Sequence, residues 1–342
     1  MTQFEQALQR YKALVNEFIF ANLPSGHEIP EIGSLYEMMK DYPSRIGKGL
    51  RPSILLIFCR AFGGSEEKAI NTAAALELFQ NWIVIHDDIE DGSELRRGQP
   101  ALHVKYGIPL ALNAGDALAG KMWEFLANNR KVIGDQRALD VIEQFLHMYN
   151  ETTAGQHIEL SWVKNRRWDL TRQDYFNMCR RKTAWYTCIT PAWTGALIAG
   201  ADGKHRETIF KFGTEVGVAF QIQDDVLNLA GDEKKYGKEI LGDLWEGKRT
   251  LITIDLMEKA SPEEKRFLTR TLDMPRHEKS GTDINEMMKM IRRYGSIESA
   301  IKTSVELATN ARAIFADIEK DIDRQQCVII NEMTEFMINR TF

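Results

Sequence analysis

The stretch LELFQNWIVI at residues 76–85 runs directly into HDDIED at residues 86–91. Its first part places apolar side chains on most faces of a helix, and a helix of that kind must be surrounded by other helices. Another apolar helix is indicated at residues 187–201, and no convincing run alternates apolar and polar residues. The sequence therefore predicts an all-α fold, a large helical bundle with buried central helices around a cavity.

Carboxylates end this apolar helix at the point where further burial of hydrocarbon would be expected. A second copy of the pattern, QDDVLN at residues 223–228, follows the apolar stretch 216–222. On a helix Asp87 and Asp91 lie one turn apart on the same face. Their oxygens can therefore bind a hard cation such as Mg²⁺, which in turn favours a phosphate ligand.

The alternative is that both acidic runs are solvated helix ends, as most charge runs are. Two runs with the same Asp-Asp spacing, each preceded by a helix of the buried type, argue against it. Carboxylates that share one cavity would cost several kcal/mol each in desolvation, and metal binding compensates that cost.

Composition limits the class of protein. The chain has 342 residues, 44% of them hydrophobic, and a net charge of -5, which suits a soluble globular protein and offers no basic field for nucleic acid. Its four cysteines show neither zinc nor disulfide spacing, so we expect a cytoplasmic protein. No stretch reaches the roughly 18 apolar residues of a membrane span. Because no flexible linker divides the chain, residues 1–342 are predicted to form a single domain.

Capping signals mark some helix boundaries. Ser261 is followed by Pro and two Glu residues, which combines an N-cap, a proline at the first helical position and a capping box. Thr171 with Asp174 is a weaker version of the same signal. Pro191 is predicted to kink its helix.

Basic residues occur in glycine-containing segments at separate points of the chain. The segments are GKGLRP at residues 47–52, LRRG at 95–98, and the stretch from Gly237-Lys238 through Gly242-Asp243 to GKRT at 247–250. Arg offers a planar fork for phosphate oxygens and Lys a point charge. Any one segment could be surface charge, but together with the acidic motifs they suit a site for two diphosphates.

These features together resemble the trans-isoprenyl diphosphate synthases, the farnesyl and geranylgeranyl diphosphate synthase (polyprenyl synthetase) family, over essentially the whole chain. The matching elements are GKGLRP, the DDxxD motif at residues 87–91, Arg96-Arg97, Gly155-Gln156, Lys182-Thr183, Phe220-Gln221 with the second motif, and the Gly237-Lys238 and Gly247-Lys248 turns. The resemblance implies an all-α prenyltransferase fold, a homodimer and three Mg²⁺ ions.

The resemblance also assigns roles to individual residues. Asp87 and Asp91 match ligands of two Mg²⁺ ions and Asp224 the ligand of the third, while Asp88 and Asp225 match supporting metal positions that act through bound water. The positions for isopentenyl diphosphate are Lys48, Arg51, Gln80 and Arg97. Those for the allylic diphosphate are Arg96, Lys182 and Lys238, with Lys248 as a further contact. Thr183 and Gln221 match positions beside the reacting carbons, where they can steady a carbocation.

The expected mechanism uses no protein nucleophile. Metal ions and cationic side chains stabilise the departing diphosphate, the alkene of isopentenyl diphosphate attacks the allylic cation, and a proton is lost. The departing diphosphate is the expected base. His86 adjoins the acids, but we expect it to orient or pack.

Two positions depart from the family pattern. Asn228 ends the second motif where many members carry Asp, and Glu159 stands where Asp often follows Gly155-Gln156. Neither change removes a primary ligand. We therefore expect retained activity with altered support around the metal.

The helix before Asp87 indicates the product length. At a rise of 1.5 Å per residue, Ile83 lies about 6 Å and Phe79 about 12 Å below Asp87 on nearly the same face, with Trp82 beside them. An aromatic residue five positions before the first Asp, without an insertion in DDxxD, is similar to the geranylgeranyl-forming type. We expect a product of twenty carbons, with fifteen carbons as the alternative. The pattern is also consistent with Phe79 and Trp82 being ordinary core residues.

Other functions could share the fold and the acidic motifs. A terpene cyclase or a head-to-head coupling enzyme needs no isopentenyl diphosphate pocket, so Lys48, Arg51, Gln80 and Arg97 argue against both. A non-catalytic synthase subunit should have lost an acid or an arginine, and here both are present.

Overall fold

In a computed structural model of the chain, the residues described are 1–45, 47–231 and 240–338. Within these ranges the fold is helical, as predicted, and the strands are a two-residue pair, β1 (Leu95–Arg96) and β2 (Gln99–Pro100). The α-helices are α1 (Gln3–Asn22), α2 (Pro30–Ser44), α3 (Leu50–Ala61), α4 (Glu66–Glu90), α5 (Leu102–Tyr106), α6 (Ile108–Asn128), α7 (Arg130–Ile133), α8 (Asp135–Lys164), α9 (Arg172–Cys179), α10 (Thr190–Ala199), α11 (Arg206–Ala230), α12 (Gly242–Glu246), α13 (Leu251–Lys259), α14 (Pro262–Leu272), α15 (Gly281–Tyr294), α16 (Ser296–Glu319) and α17 (Arg324–Ile338). A π-helix spans Arg180–Ile189, and short 3₁₀ helices span Gly203–His205 and Arg276–Glu278.

The chain folds into two compact units. The first contains Met1–His147, Tyr186–Phe210 and Ala316–Met333. The second contains Met148–Trp185, Lys211–Phe315 and the C-terminal segment from Thr334. A single domain over residues 1–342 stays a prediction.

Helix α4 is the centre of the first unit. It packs against α3 and α6, and α3 packs against α10. Buried residues occur on most faces of α4 from Ala69 to Ile85, as its apolar sequence predicts. The approach of α10 to α3 depends on Gly195, because a Cβ there would lie 2.2 Å from the Leu55 carbonyl oxygen.

The second unit has its own apolar core, to which helices α9, α11, α13, α14 and α15 contribute. Close packing brings α11 onto the π-helix at Gly217, where a Cβ would lie 2.5 Å from Ala184. The acidic motif at the end of α11 is thereby attached to a packed scaffold.

The predicted helix starts at Thr171 and Ser261 are confirmed, and both form capping boxes. The kink at Pro191 stays a prediction. Pro191 lies in the first turn of α10, directly after the π-helix Arg180–Ile189. None of the helices in the described ranges is long and apolar enough to cross a membrane.

Candidate active site

The first acidic motif lies at the C-terminal end of α4. Asp87 and Asp91 are half-buried, whereas Asp88 is completely buried. Asp91 caps the helix, and its backbone N–H donates to the Asp87 carbonyl at 2.9 Å. The helix therefore presents the two predicted metal ligands towards solvent and turns the middle carboxylate inward.

Asp88 is held by a buried tyrosine and a buried arginine. The Tyr42 hydroxyl donates to Asp88 Oδ2 at 2.6 Å, and Arg96 Nε lies 2.9 Å from each carboxylate oxygen. Burial opposes the charge of Arg96, but the Asp88 carboxylate more than compensates and raises the pKa of Arg96. The two side chains neutralise each other, and their predicted contacts with metal and allylic diphosphate stay predictions.

A cluster of arginines surrounds one carboxylate in the same unit. Burial, together with the neighbouring Arg96, Arg45 and Arg51, lowers the pKa of Arg97. Arg97 donates from Nη1 to the Tyr42 carbonyl at 2.8 Å. Several arginines close together favour an anionic ligand, and the isopentenyl diphosphate site stays a prediction.

Glycine and aromatic neighbours shape this arginine cluster. A Cβ on Gly47 would lie 2.6 Å from Arg97 Nη2, so glycine lets the guanidinium lie directly against the backbone before Lys48. The Arg51 guanidinium stacks over Tyr186, 4.3 Å from the ring centroid. Lys48 and Gln80 are the other predicted contacts of isopentenyl diphosphate. Lys48 lies in the turn before α3 and is exposed, whereas Gln80 lies on α4 and is half-buried.

The carboxylate in this cluster is Glu77, which the sequence analysis missed. Burial raises its pKa, and Arg97 and Arg51 oppose that shift. It lies between Leu76 and Leu78 in the apolar stretch of α4. A lone acid in such a run was the available signal, because a buried carboxylate requires a cationic partner.

In the second unit, four polar side chains form a hydrogen-bonded chain on the second acidic motif. Thr183 donates to Gln221 Oε1 at 2.6 Å, and Gln221 Nε2 donates to Asp225 Oδ1 at 2.8 Å. The buried Tyr175 hydroxyl donates to Asp225 Oδ2 at 2.6 Å. The predicted catalytic residues Thr183 and Gln221 are thus brought together and tied to the motif.

Asp225 differs electrostatically from an ordinary carboxylate. Burial, reinforced by the neighbouring Glu159 and Asp224, raises the pKa of Asp225 to about 7 although Tyr175 and Gln221 stabilise its charge. Asp224, the predicted direct ligand, is half-buried one position earlier. Excess negative charge in a buried place is relieved by a cation.

Lys182 contacts the same acidic cluster. Its Nζ lies 2.5 Å from Glu159 Oε2, so the residue that departs from the family pattern is the partner of a predicted diphosphate contact. The π-helix comes so close to α8 here that a Cβ on Gly155 would lie 2.2 Å from the Lys182 backbone nitrogen. This explains the glycine of the Gly155-Gln156 pair.

Helix α12 adds an acid that the sequence analysis placed in a basic segment. Asp243 donates its backbone N–H to Asn228 Oδ1 at 3.0 Å, so the atypical Asn228 supports this segment. Burial, with nearby Asp225, Glu246 and Glu159, raises the pKa of Asp243, and Lys248 opposes the shift. Lys248 pairs with Glu246 at 2.8 Å. Lys238 and Gly237 lie outside the described residues.

The residues predicted to limit product length form an aromatic row on α4. The Phe79 and Trp82 rings meet edge-on with centroids 5.6 Å apart, and Trp82 meets His86 at 5.9 Å. Ile83 is half-buried. His86 Nε2 lies 3.6 Å from Asp116 Oδ1 and fits against Gly115, which supports a packing role for His86. The control of chain length stays a prediction.

The donor set fits Mg²⁺ in the presence of phosphate. Within the described ranges, no three acidic, histidine or cysteine side chains converge as a complete metal site. Mg²⁺ usually keeps several waters and takes one or two carboxylates plus substrate phosphates. The half-buried Asp87, Asp91 and Asp224 supply such carboxylates, and the mutual repulsion of the acids around Asp225 favours a bound cation.

Comparisons with known proteins identify the class of this fold and site. The sequence pattern of the family described as polyprenyl synthetase matches residues 33–291. A geranylgeranyl diphosphate synthase of Sulfolobus acidocaldarius is 33% identical over 310 residues, 90% of this chain and 92% of the relative. One of Saccharolobus solfataricus is 35% identical over 248 residues, 72% and 73% of the two chains. The crystal structure of a geranylgeranyl pyrophosphate synthetase from Pyrococcus horikoshii superposes with a TM-score of 0.85 at 30% identity and covers 99% of both chains.

The chain belongs to the polyprenyl synthetase family. It is a prenyltransferase enzyme with the helical fold of that family. Family members are metal-dependent and use isoprenyl diphosphates. The family resemblance inferred from the sequence motifs is confirmed.

Proposed function

We propose that this enzyme condenses isopentenyl diphosphate head-to-tail with an allylic diphosphate to form geranylgeranyl diphosphate. The observation that carries the proposal is the presence, on one chain, of an arginine cluster suited to a diphosphate and an acidic cluster suited to Mg²⁺. A hydrolase or a cyclase would need the acidic cluster suited to Mg²⁺ but not the arginine cluster.

Magnesium would be held by Asp87 and Asp91 for two ions and by Asp224 for the third. When bound, Mg²⁺ neutralises the charge that develops on the leaving diphosphate. Asp225 supports Asp224 from the buried side, through its hydrogen bonds with Tyr175 and Gln221. Asp88 supports Asp87 by fixing Arg96, whose Nη2 lies 3.7 Å from Asp87 Oδ2.

The side chains divide between the two substrates. Lys48, Arg51, Gln80 and Arg97 bind isopentenyl diphosphate. Lys182, Lys248 and Arg96, with Lys238, bind the allylic diphosphate. The hydroxyl of Thr183 and the amide of Gln221 orient the reacting carbons and present oxygen dipoles to the carbocation.

Product length and assembly complete the proposal. Phe79 and Trp82 stop the growing chain at twenty carbons, and Ile83 leaves the intervening space open. We infer a homodimer, because exposed apolar side chains occur on α5 and at the start of α6, at Val104, Ile108, Leu110 and Leu112, and such a surface suits burial against a second copy. All four cysteines are free thiols, which supports a cytoplasmic location.

Incubation with Mg²⁺, isopentenyl diphosphate and each allylic diphosphate in turn tests this function directly. We expect geranylgeranyl diphosphate as the main product and no turnover with a chelator. Product of fifteen carbons would favour the farnesyl alternative, and a cyclised hydrocarbon would favour the cyclase. Absence of condensation with every primer would overturn the enzyme reading.

A further inference from the structure

A buried lysine outside all the sequence motifs binds the segment that carries Lys248. Lys279 is 6% exposed and lies between the 3₁₀ helix Arg276–Glu278 and α15. Its Nζ donates to the carbonyl oxygen of Leu244 at 2.9 Å and to that of Trp245 at 2.7 Å. These carbonyls belong to the last turn of α12, where a cation is favourable.

A second buried cation binds the carbonyl of Gly247, the residue that caps the end of α12. Arg249, 2% exposed, donates to the Gly247 carbonyl. It is itself fixed by an ion pair with Asp273 at 2.5 Å and by stacking over Trp168 at 4.2 Å from the ring centroid. The turn is therefore held by groups that have few alternative positions.

Gly247 shows how closely this turn is fitted. Its φ is +73°, and a Cβ there would lie 2.2 Å from the Leu272 carbonyl oxygen and 3.2 Å from Lys279 Nζ. The turn cannot move towards Lys279, and the hydrogen bonds prevent it from moving away. Lys248 is the next residue, and its Nζ lies 2.8 Å from Glu246 Oε2.

We propose that Lys279, assisted by Arg249, is a positioning residue that fixes the turn after α12 and thereby directs Lys248 to the allylic diphosphate. Without these cations the carbonyls at the end of α12 would lose their partners. Asn228 holds only the start of this five-residue helix, and so short a helix does not keep the orientation of its other end by itself. Burying a lysine is costly unless its hydrogen bonds are satisfied. An apolar side chain could fill the same space with a smaller desolvation penalty. What Lys279 adds is therefore the precise placement of the turn. The inference rests on the proposed function of Lys248.

The test compares Lys279→Met with Lys289→Met, a matched change at an exposed lysine of α15 whose partner is Glu286. Because a misplacement of about 1 Å can cost on the order of 10²-fold, we expect K279M to raise the KM for the allylic diphosphate at least about 10-fold. The KM for isopentenyl diphosphate should stay within about twofold, since its proposed contacts are other residues. K289M should match the wild type in both.

Two further variants and a second readout keep the test decisive. Lys279→Arg restores a cation and should recover most of the allylic KM, and Lys279→Gln, which retains a donor, should be intermediate and serves if K279M does not fold. Hydrogen exchange of the peptide containing residues 242–248 should accelerate in K279M and not in K289M.

Equal changes in both KM values, or an unchanged allylic KM in folded K279M or K279Q, would overturn the inference. The exchange measurement needs no turnover. A wild-type enzyme without condensation activity would therefore refute the proposed function while the positioning of the turn is still tested.

Discussion

The two acidic motifs use the same local arrangement but balance charge differently. In each, the second aspartate is buried and accepts a 2.6 Å hydrogen bond from a buried tyrosine, Tyr42 for Asp88 and Tyr175 for Asp225. Asp88 also faces the guanidinium of Arg96. Asp225 instead accepts from the neutral amide of Gln221 and has other carboxylates as neighbours.

This difference shows that one sequence motif can serve two electrostatic purposes. The ion pair between Asp88 of the first motif and Arg96 fixes the Arg96-Arg97 turn beside the predicted metal ligands. The second contains a surplus of carboxylates, which raises the pKa of Asp225 to about 7 and creates a demand for an external cation.

Both motifs should nevertheless be essential for turnover. Asp87→Ala and Asp224→Ala each remove a proposed direct ligand, and we expect kcat to fall by roughly 10³. Steady-state condensation assays at saturating Mg²⁺ measure this effect. Glu90→Ala, at the variable fourth position of the first motif, is the control and should retain normal kcat. A loss confined to one motif would show that only that motif binds metal during catalysis.

The buried aspartates should differ in their effect on stability. Asp88→Asn leaves the charge of Arg96 buried without its partner, which should lower the free energy of unfolding by about 3–5 kcal/mol. Asp225→Asn keeps a hydrogen-bonding group and removes a repelled charge, so at pH 8 in chelator it should raise that free energy or change it by less than about 0.5 kcal/mol. Urea denaturation measures both. Equal losses in the two variants would contradict the comparison.

The second motif should also make stability depend on pH. Because the folded protein holds a proton on Asp225 up to about pH 7 and the unfolded chain releases it near pH 4, the unfolding free energy should fall as pH rises between these values. We expect a fall on the order of 2 kcal/mol between pH 5 and 8 in chelator. Added Mg²⁺ should restore stability at pH 8 more than at pH 5.5. Asp225→Asn should flatten the profile, and an unaltered slope would assign the proton to another group.

The aromatic row on α4 should affect product identity with little effect on rate. Phe79→Ala, Trp82→Ala and the double variant remove the proposed floor, so the product should lengthen by at least one isoprene unit while kcat changes by less than about tenfold. Chromatography of the dephosphorylated products gives the distribution. An unchanged distribution in the double variant would make Phe79 and Trp82 ordinary core residues.

Much of the fold could be predicted from local sequence. Apolar residues on all faces of residues 76–85 indicated a helix that is surrounded by other helices. The capping boxes at Thr171 and Ser261 could be predicted because the hydrogen-bonding partners lie three residues away. The π-helix before Pro191 could not be predicted from local sequence, because it occurs together with close tertiary packing against Gly155 and Gly217.

The candidate site residues could be predicted from their residue types, but the side chains that hydrogen-bond to them could not. Tyr42 and Tyr175 lie 46 and 50 positions from the aspartates they contact, and no local pattern pairs them. Glu77, Asp243 and Lys279 were missed because their importance comes from burial beside distant charges. A single charged residue in an apolar stretch was a signal for Glu77, whereas Asp243 and Lys279 lie in polar segments that gave no such signal.

The central claim is that the aspartates of both motifs bind magnesium, which binds diphosphate. A crystal structure with Mg²⁺ and an unreactive thiolo analogue of an allylic diphosphate tests it most directly. We predict Mg²⁺ at about 2.1 Å from carboxylate oxygens of Asp87, Asp91 and Asp224, with analogue phosphate oxygens completing the coordination. Analogue bound at full occupancy with no metal ion on either motif would contradict the account.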